Sequence, residues 1–189
     1  GAVMEDMDAT VGMLLQKIDE LGIARNTYVF YTPDHGSPGR NANAPLTGGK
    51  GTVWDGGLRV PFIMRGPGIQ PGICSRVRAT GVDLFPTLAE LAHVTRPLPK
   101  GIEGGSLVPV LMRGGNGEVK RPREALVFHF PHYDHGTDGP ASPLLLGPPK
   151  LIRRYENGRI QLFDITKHIS DDRALPRALQ AKLAEHHHR

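Results

Sequence analysis

Met7, Val11, Leu14, Ile18 and Leu21 recur at alternating steps of four and three. That spacing puts them on one stripe of an amphipathic helix over residues 4–21. Glu5, Asp8, Lys17 and Glu20 fall mostly off the stripe, and Gly22 stands where a left-handed C-terminal cap is expected. After Asn26-Thr27 the pattern changes. Tyr28-Val-Phe-Tyr-Thr32 is apolar on both faces and rich in aromatic and branched residues, which predicts a central strand covered on two sides. A helix feeding such a strand is half of an α/β repeat. Leu58 to Met64 is a second strand candidate, interrupted by Pro61 and ending in the turn Arg65-Gly-Pro-Gly68. Thr80-Gly-Val-Asp83 has capping-box spacing, with Asp83 in place of the usual Glu. It opens a helix bearing Val82, Phe85, Leu88, Leu91 and Ala92, in which Pro86 lies close enough to the start to be tolerated.

A Pro/Gly-rich connection, a short helix from Ser106 to Met112 and a polar linker over 114–124 come next. Ala125 to Phe130 then predicts a strand, and 131–149 an irregular His/Gly/Pro loop. Residues 150–156 and 159–165 read as a β-hairpin around Asn157-Gly158, a pair suited to turn positions with positive φ. Leu175 to Glu185 predicts a closing helix. The expected organisation is an α/β body over residues 1–120 and a small α+β subdomain over 121–189.

Apolar residues make up 39% of the 189, enough for a core, while 24 Gly and 17 Pro predict many tight turns. No apolar run is long enough for a membrane-spanning helix. The net charge of +4 is dispersed. It suits an anionic small substrate, and no basic block with interleaved aromatics points to nucleic acid. A single cysteine, Cys74, excludes an intrachain disulfide and leaves the compartment open. The start at Gly1, directly ahead of a helical pattern, reads as a cut end, with any targeting segment expected upstream.

Asp34-His35 follows the first strand, and ligands of open α/β sheets bind beyond strand carboxyl ends. Asp suits a hard cation and His suits zinc, acid–base work or hydrogen bonding. The alternative is a plain turn in which Asp34 bonds the nearby backbone. Lys50 lies in Gly48-Gly49-Lys50-Gly51, where glycines admit a close ligand and leave the ammonium unobstructed. The spacing is not that of a Walker A loop, and the alternative is a solvated lysine. Cys74, beside Arg76 and Arg78, is weighed as a nucleophile against a half-buried small residue, and the turn at Pro71-Gly72 favours the latter. His129, His132, Asp134 and His135 form either a zinc cluster, a substrate-contact loop or a polar loop; without cysteines or a helical HExxH frame, zinc is disfavoured.

Together these pieces resemble the C-terminal part of a type I, formylglycine-dependent sulfatase of the alkaline phosphatase superfamily. The residues that carry the resemblance are Asn26-Thr-Tyr-Val-Phe-Tyr-Thr-Pro-Asp-His-Gly36, Gly48-Gly-Lys-Gly-Thr-Val-Trp-Asp-Gly-Gly-Leu-Arg-Val-Pro-Phe-Ile63, Val82-Asp-Leu-Phe-Pro-Thr-Leu88 and Lys150-Leu-Ile-Arg-Arg-Tyr. The implied fold is the C-terminal part of an α/β/α sandwich plus a small antiparallel sheet with a C-terminal helix. By the resemblance Asp34 ligates Ca2+, His35 takes the neighbouring metal position and Lys50 holds sulfate oxygens. His132 is assigned as a substrate contact outside any family motif. The implied substrate is a sulfated small molecule or glycan, and the implied location periplasmic or secreted.

The C/S-x-P-x-R motif that yields the formylglycine nucleophile is absent, as are the paired aspartates of the family's N-terminal region. Cys74 precedes Ser-Arg without the required proline. The chain is therefore expected to carry half of an active site and to be inactive alone. The alternatives are an inactive fragment that binds metal or sulfate, and a phosphonate or phosphodiester hydrolase of the same superfamily.

Overall fold

A computed structural model describes residues 1–39, 42–133 and 139–166. The chain forms two compact units: Gly1–Tyr31 with Phe62–Pro122, and Thr32–Pro61 with Arg123–Arg189.

In the first unit, helix α1 spans Ala2–Glu20, and Gly22 takes the left-handed conformation (φ 67°) just past its end. The expected helix is present, but its apolar stripe is not covered. No residue of α1 is buried; Val11 and Ile18 are half-buried, and Leu14 is 62% exposed. Strand β1 (Val29–Tyr31) pairs antiparallel with β2 (Ile63–Arg65), in the register Val29↔Arg65 and Tyr31↔Ile63. The expectation of a strand covered on both faces is corrected, because all three residues of β1 are half-buried. The second strand also begins later than expected, since Asp55–Leu58 is a helical turn, α2, in the other unit. Cys74 is exposed rather than half-buried.

The predicted capping box is present: the Thr80 amide donates to Asp83 Oδ2 at 2.8 Å, ahead of helix α3 (Leu84–Leu91). Asp83 does more than cap. Fully buried, it also accepts from the Gly105 amide (2.9 Å), Arg121 Nε (2.8 Å) and Arg121 Nη2 (2.7 Å). Thr87, one turn on, donates to the Asp83 carbonyl and accepts from the Leu107 amide, just before the short helix α4 (Val108–Leu111). One carboxylate thus ties α3 to the 105–107 connection and to Arg121.

The second unit is built on a four-stranded antiparallel sheet in the order β3 (Leu126–Val127), β4 (Ala141–Leu145), β5 (Pro149–Arg154), β6 (Ile160–Asp164). Within the segment expected to be an irregular loop, β4 is a nearly fully buried strand. It tolerates Pro143 for a geometric reason. The Pro143 carbonyl accepts from Phe128 on the β3 side, so its missing N–H also faces that side, where β3 is only two residues long. The β5–β6 hairpin is present, but its turn differs from the one expected. Only Gly158 has positive φ (64°); Asn157 instead accepts the Arg159 amide with its side chain, in a four-residue connection closed by Arg154 N–H to the Arg159 carbonyl. Val53, Ala141, Ile152 and Phe163 form the core, with Trp54, Phe130 and Ile165 packed against it. The predicted helix over 175–185 lies outside the described residues.

Removing the Asp83 carboxylate strands a largely buried guanidinium and two amides. Asp83→Ala is expected to destabilise the first unit by about 3–5 kcal/mol. Urea unfolding followed by hydrogen exchange over residues 78–107 checks this.

Candidate active site

The candidate site lies in the second unit and is built from backbone first. The Gly36 amide donates to the Gly57 carbonyl (3.0 Å), the Lys50 amide to the Ser37 carbonyl (3.2 Å) and the Gly56 amide to the Thr47 carbonyl (2.7 Å). Asn43 stitches the same segments with its side chain. Its Oδ1 accepts from the Ser37 amide (2.9 Å), while Nδ2 donates to the carbonyls of Ser37 (2.8 Å) and Gly48 (3.0 Å). The Thr52 hydroxyl closes the lysine turn, accepting from the Gly49 amide and donating to the Gly49 carbonyl. The residues just after Asp34-His35 are thereby fastened to the loop that presents Lys50.

The glycines serve two separate purposes. Gly48 and Gly51 have φ of 77°, which other residues rarely adopt. Gly36, Gly49 and Gly56 are buried where backbones pack against each other. A Cβ on Gly36 would overlap the Gly56 carbonyl, one on Gly49 the Ser37 carbonyl, and one on Gly56 the Gly48 carbonyl.

On this frame the Asp34 side chain is 83% exposed. Its Oδ1 accepts from the His35 amide (3.0 Å), and its Oδ2 lies 3.1 Å from His35 Nε2. His35 Nδ1 faces the Gly36 carbonyl at 2.9 Å. A carbonyl only accepts, so Nδ1 carries the proton there and Nε2 is the atom turned toward Asp34. An open carboxylate and an oriented imidazole nitrogen fit as donors to a cation. Among the described residues, however, no group of three or more His, Cys, Asp or Glu forms a metal cluster. Asp34 and His35 by themselves are two candidate donors.

Lys50 is exposed between a buried Gly49 and the left-handed Gly51. His132, also exposed, lies edge-on to the ring of Phe130 at 5.6 Å. His129 belongs to a different arrangement: its Nδ1 is 2.8 Å from Ser142 Oγ, which is 2.8 Å from the Tyr155 hydroxyl. Ser142 is fully buried, so this network satisfies a polar group in the sheet. Asp134 and His135 lie outside the described residues.

Sequence reasoning missed two residues that this site rests on, Asp55 and Lys150. Lys150 Nζ donates to Asp55 Oδ1 at 2.6 Å, with the lysine fully buried and the aspartate 4% exposed. Nothing local to either residue hints at a partner 95 residues away.

The backbone matches solved structures of one fold. The structure of BT4656 in complex with its substrate D-glucosamine-2-N,6-O-disulfate matches with a TM-score of 0.75 and 25% identity, over 95% of this chain and 36% of that one. A phosphonate monoester hydrolase from Silicibacter pomeroyi matches with a TM-score of 0.69 and 23% identity, over 95% and 37%. The chain is thus of the alkaline phosphatase-like α/β class. Among curated relatives, steryl-sulfatase of Rattus norvegicus is 38% identical over 69% of this chain and 24% of its own length. A sulfatase of Formosa agariphila is 32% identical over 90% and 34%, and human arylsulfatase A is 38% identical over 74% and 27%. The family model described as Sulfatase matches residues 1–94. The chain belongs to the sulfatase family, whose named members are sulfuric ester hydrolases, and it spans about a quarter to a third of the curated relatives it matches.

If backbone contact explains the glycines, Gly36→Ala should cost the second unit about 3 kcal/mol, because the overlapped Gly56 carbonyl is backbone and cannot swing aside as a side chain would. Gly12→Ala, which meets nothing within 4 Å in the middle of α1, should instead stabilise the first unit by about 0.5–1 kcal/mol. Trp54, the single tryptophan, reports the first change by fluorescence during urea unfolding, and far-UV circular dichroism follows the second.

Proposed function

We propose that this chain supplies the cation- and sulfate-contacting half of a sulfatase active site. The observation that carries this reading is the stitching of the Asp34–Ser37 segment to the Gly48–Gly57 loop by backbone bonds and Asn43. It gives a carboxylate, an imidazole and an ammonium one shared frame.

Asp34 and His35 hold a divalent cation, assigned as Ca2+, with Asp34 the hard oxygen donor and His35 Nε2 the softer neighbour. When bound, such a cation polarises a sulfate oxygen. Lys50 attracts the sulfate by its charge; at about 4 Å and an effective dielectric near 20 this is worth roughly 4 kcal/mol before desolvation. Its position between glycines keeps bulky neighbours away from the anion. His132 contacts the rest of the substrate, a sulfated small molecule or glycan. The attacking group, a formylglycine, belongs to sequence outside these 189 residues, and the whole protein works in the periplasm or outside the cell. No helix among the described residues is long and apolar enough to cross a membrane.

The phosphonate monoester hydrolase neighbour keeps a second reading in view, since phosphonate and phosphate monoesters also present tetrahedral anions to Lys50.

The chain alone should turn over no aryl sulfate with or without Ca2+; turnover abolished by Lys50→Ala would overturn the placement of the nucleophile. In calorimetric titrations Asp34→Ala should abolish Ca2+ binding. Lys50→Ala should weaken inorganic sulfate binding by roughly tenfold or more while Ca2+ binding persists. Unchanged affinities in both variants would remove the assignment, and preference for phosphate over sulfate would favour the second reading.

A further inference from the structure

Asp55 looks at first like a further site acid. It sits five residues after Lys50 in a glycine-rich loop, whose Gly57 carbonyl accepts the amide of Gly36, the residue after His35. The structure gives it a different role. Asp55 is 4% exposed and its Oδ1 is bonded at 2.6 Å to Lys150 Nζ, whose side chain is fully buried in β5. A carboxylate neutralised this way is turned toward the sheet rather than toward a ligand.

The residues around it dock the same way. Val53 is in the sheet's core cluster, Trp54 packs edge-on against Phe163 at 5.6 Å, and the Arg154 guanidinium lies 5.3 Å from the center of the Trp54 ring. Asp55 is the first residue of α2, and its carbonyl accepts the Arg59 amide that closes this turn. Gly56 and Gly57, the next two residues, make the bonds to Thr47 and Gly36. An unbroken chain of contacts therefore runs from Lys150 through Asp55 and Gly56-Gly57 to both the Lys50 loop and the backbone beside His35.

We infer that Asp55 and Lys150 are a positioning pair, which fixes the Lys50 loop on the four-stranded sheet and sets where the ammonium meets its anion. The anion role of Lys50 is taken from the function proposed above; the positioning is not. Geometry suits the task. A buried pair is favourable only when donor and acceptor meet closely, so it specifies one register of loop against sheet, where apolar contacts alone tolerate sliding.

Hydrogen exchange of the 189-residue chain tests this, alongside titration with inorganic sulfate. Lys150→Met should speed exchange of the Gly36, Lys50, Gly56 and Gly57 amides at least tenfold, with the β4–β5 amides as protected as before. Sulfate affinity should fall about tenfold, and Lys150→Arg should restore both. If Lys150→Met unfolds the sheet, the double variant Asp55→Asn/Lys150→Met, which leaves no lone buried charge, takes its place with the same expectation. Native exchange of the four loop amides in whichever variant folds would overturn the pair's role, as would failure of Lys150→Arg to rescue. Lys50→Ala separates the two claims. Unchanged sulfate affinity in that variant would sink the anion role of Lys50, while the exchange measurement would still decide the positioning.

Discussion

The contact between Lys150 and Asp55 is the constraint on which the second unit depends. Both charges are almost wholly removed from water, and each alone would cost several kcal/mol to bury. At 2.6 Å they offset that cost only in this arrangement. The loop they hold has little order of its own. Its one regular element, α2, is four residues long, far below the length at which a helix is stable in isolation. Val53, Trp54 and Asp55 enter the sheet as three consecutive anchors, respectively a core aliphatic, an aromatic edge contact and a charge.

That anchoring explains why a stretch with so many glycines is not a flexible linker. Glycine is costly to order, and its use is justified where nothing larger fits. At Gly36, Gly49 and Gly56 a side chain would occupy the place of a neighbouring segment's carbonyl, so the absence of Cβ is what lets the backbones bond. Asn43 completes the arrangement with three hydrogen bonds from one amide. Glycines permit the approach, Asn43 and the backbone bonds fasten it, and the buried pair sets it against the sheet. In the proposed reading this order is what electrostatic stabilisation of a sulfate ester requires, since fixed charges need no reorganisation during the reaction.

The local features were legible in the sequence. The capping box at Thr80–Asp83, the end of α1 at Gly22 and the hairpin around Asn157-Gly158 each depend on residues a few positions apart. Sulfatase membership was legible too, because the motifs around Asp34 and Lys50 are distinctive. What the pattern could not report was what covers an element. The stripe of α1 and the apolar run of β1 predicted burial that the structure does not have, since periodicity records amphipathicity and not the partner. Strand β4 was hidden by Pro143, whose tolerance follows from the length of the neighbouring β3. Asp83 was read as a cap and proved to be the center of a network reaching Arg121.

Asp83 and Asp55 bear on how carboxylates in this chain should be judged. Both are buried and held by cations distant in sequence, Arg121 and Lys150. Asp34 is the opposite case, largely exposed and bonded to its own neighbour, His35. By sequence alone all three lie within two residues of a glycine and could be ranked alike. Exposure and partnership separate them: a carboxylate already neutralised has little left to offer a cation, whereas an open one next to an imidazole oriented by a carbonyl retains its donor atoms. The candidate ligand is thus the acid that contributes least to holding the fold, and the two acids that look similar in the sequence are each committed to holding their own unit together.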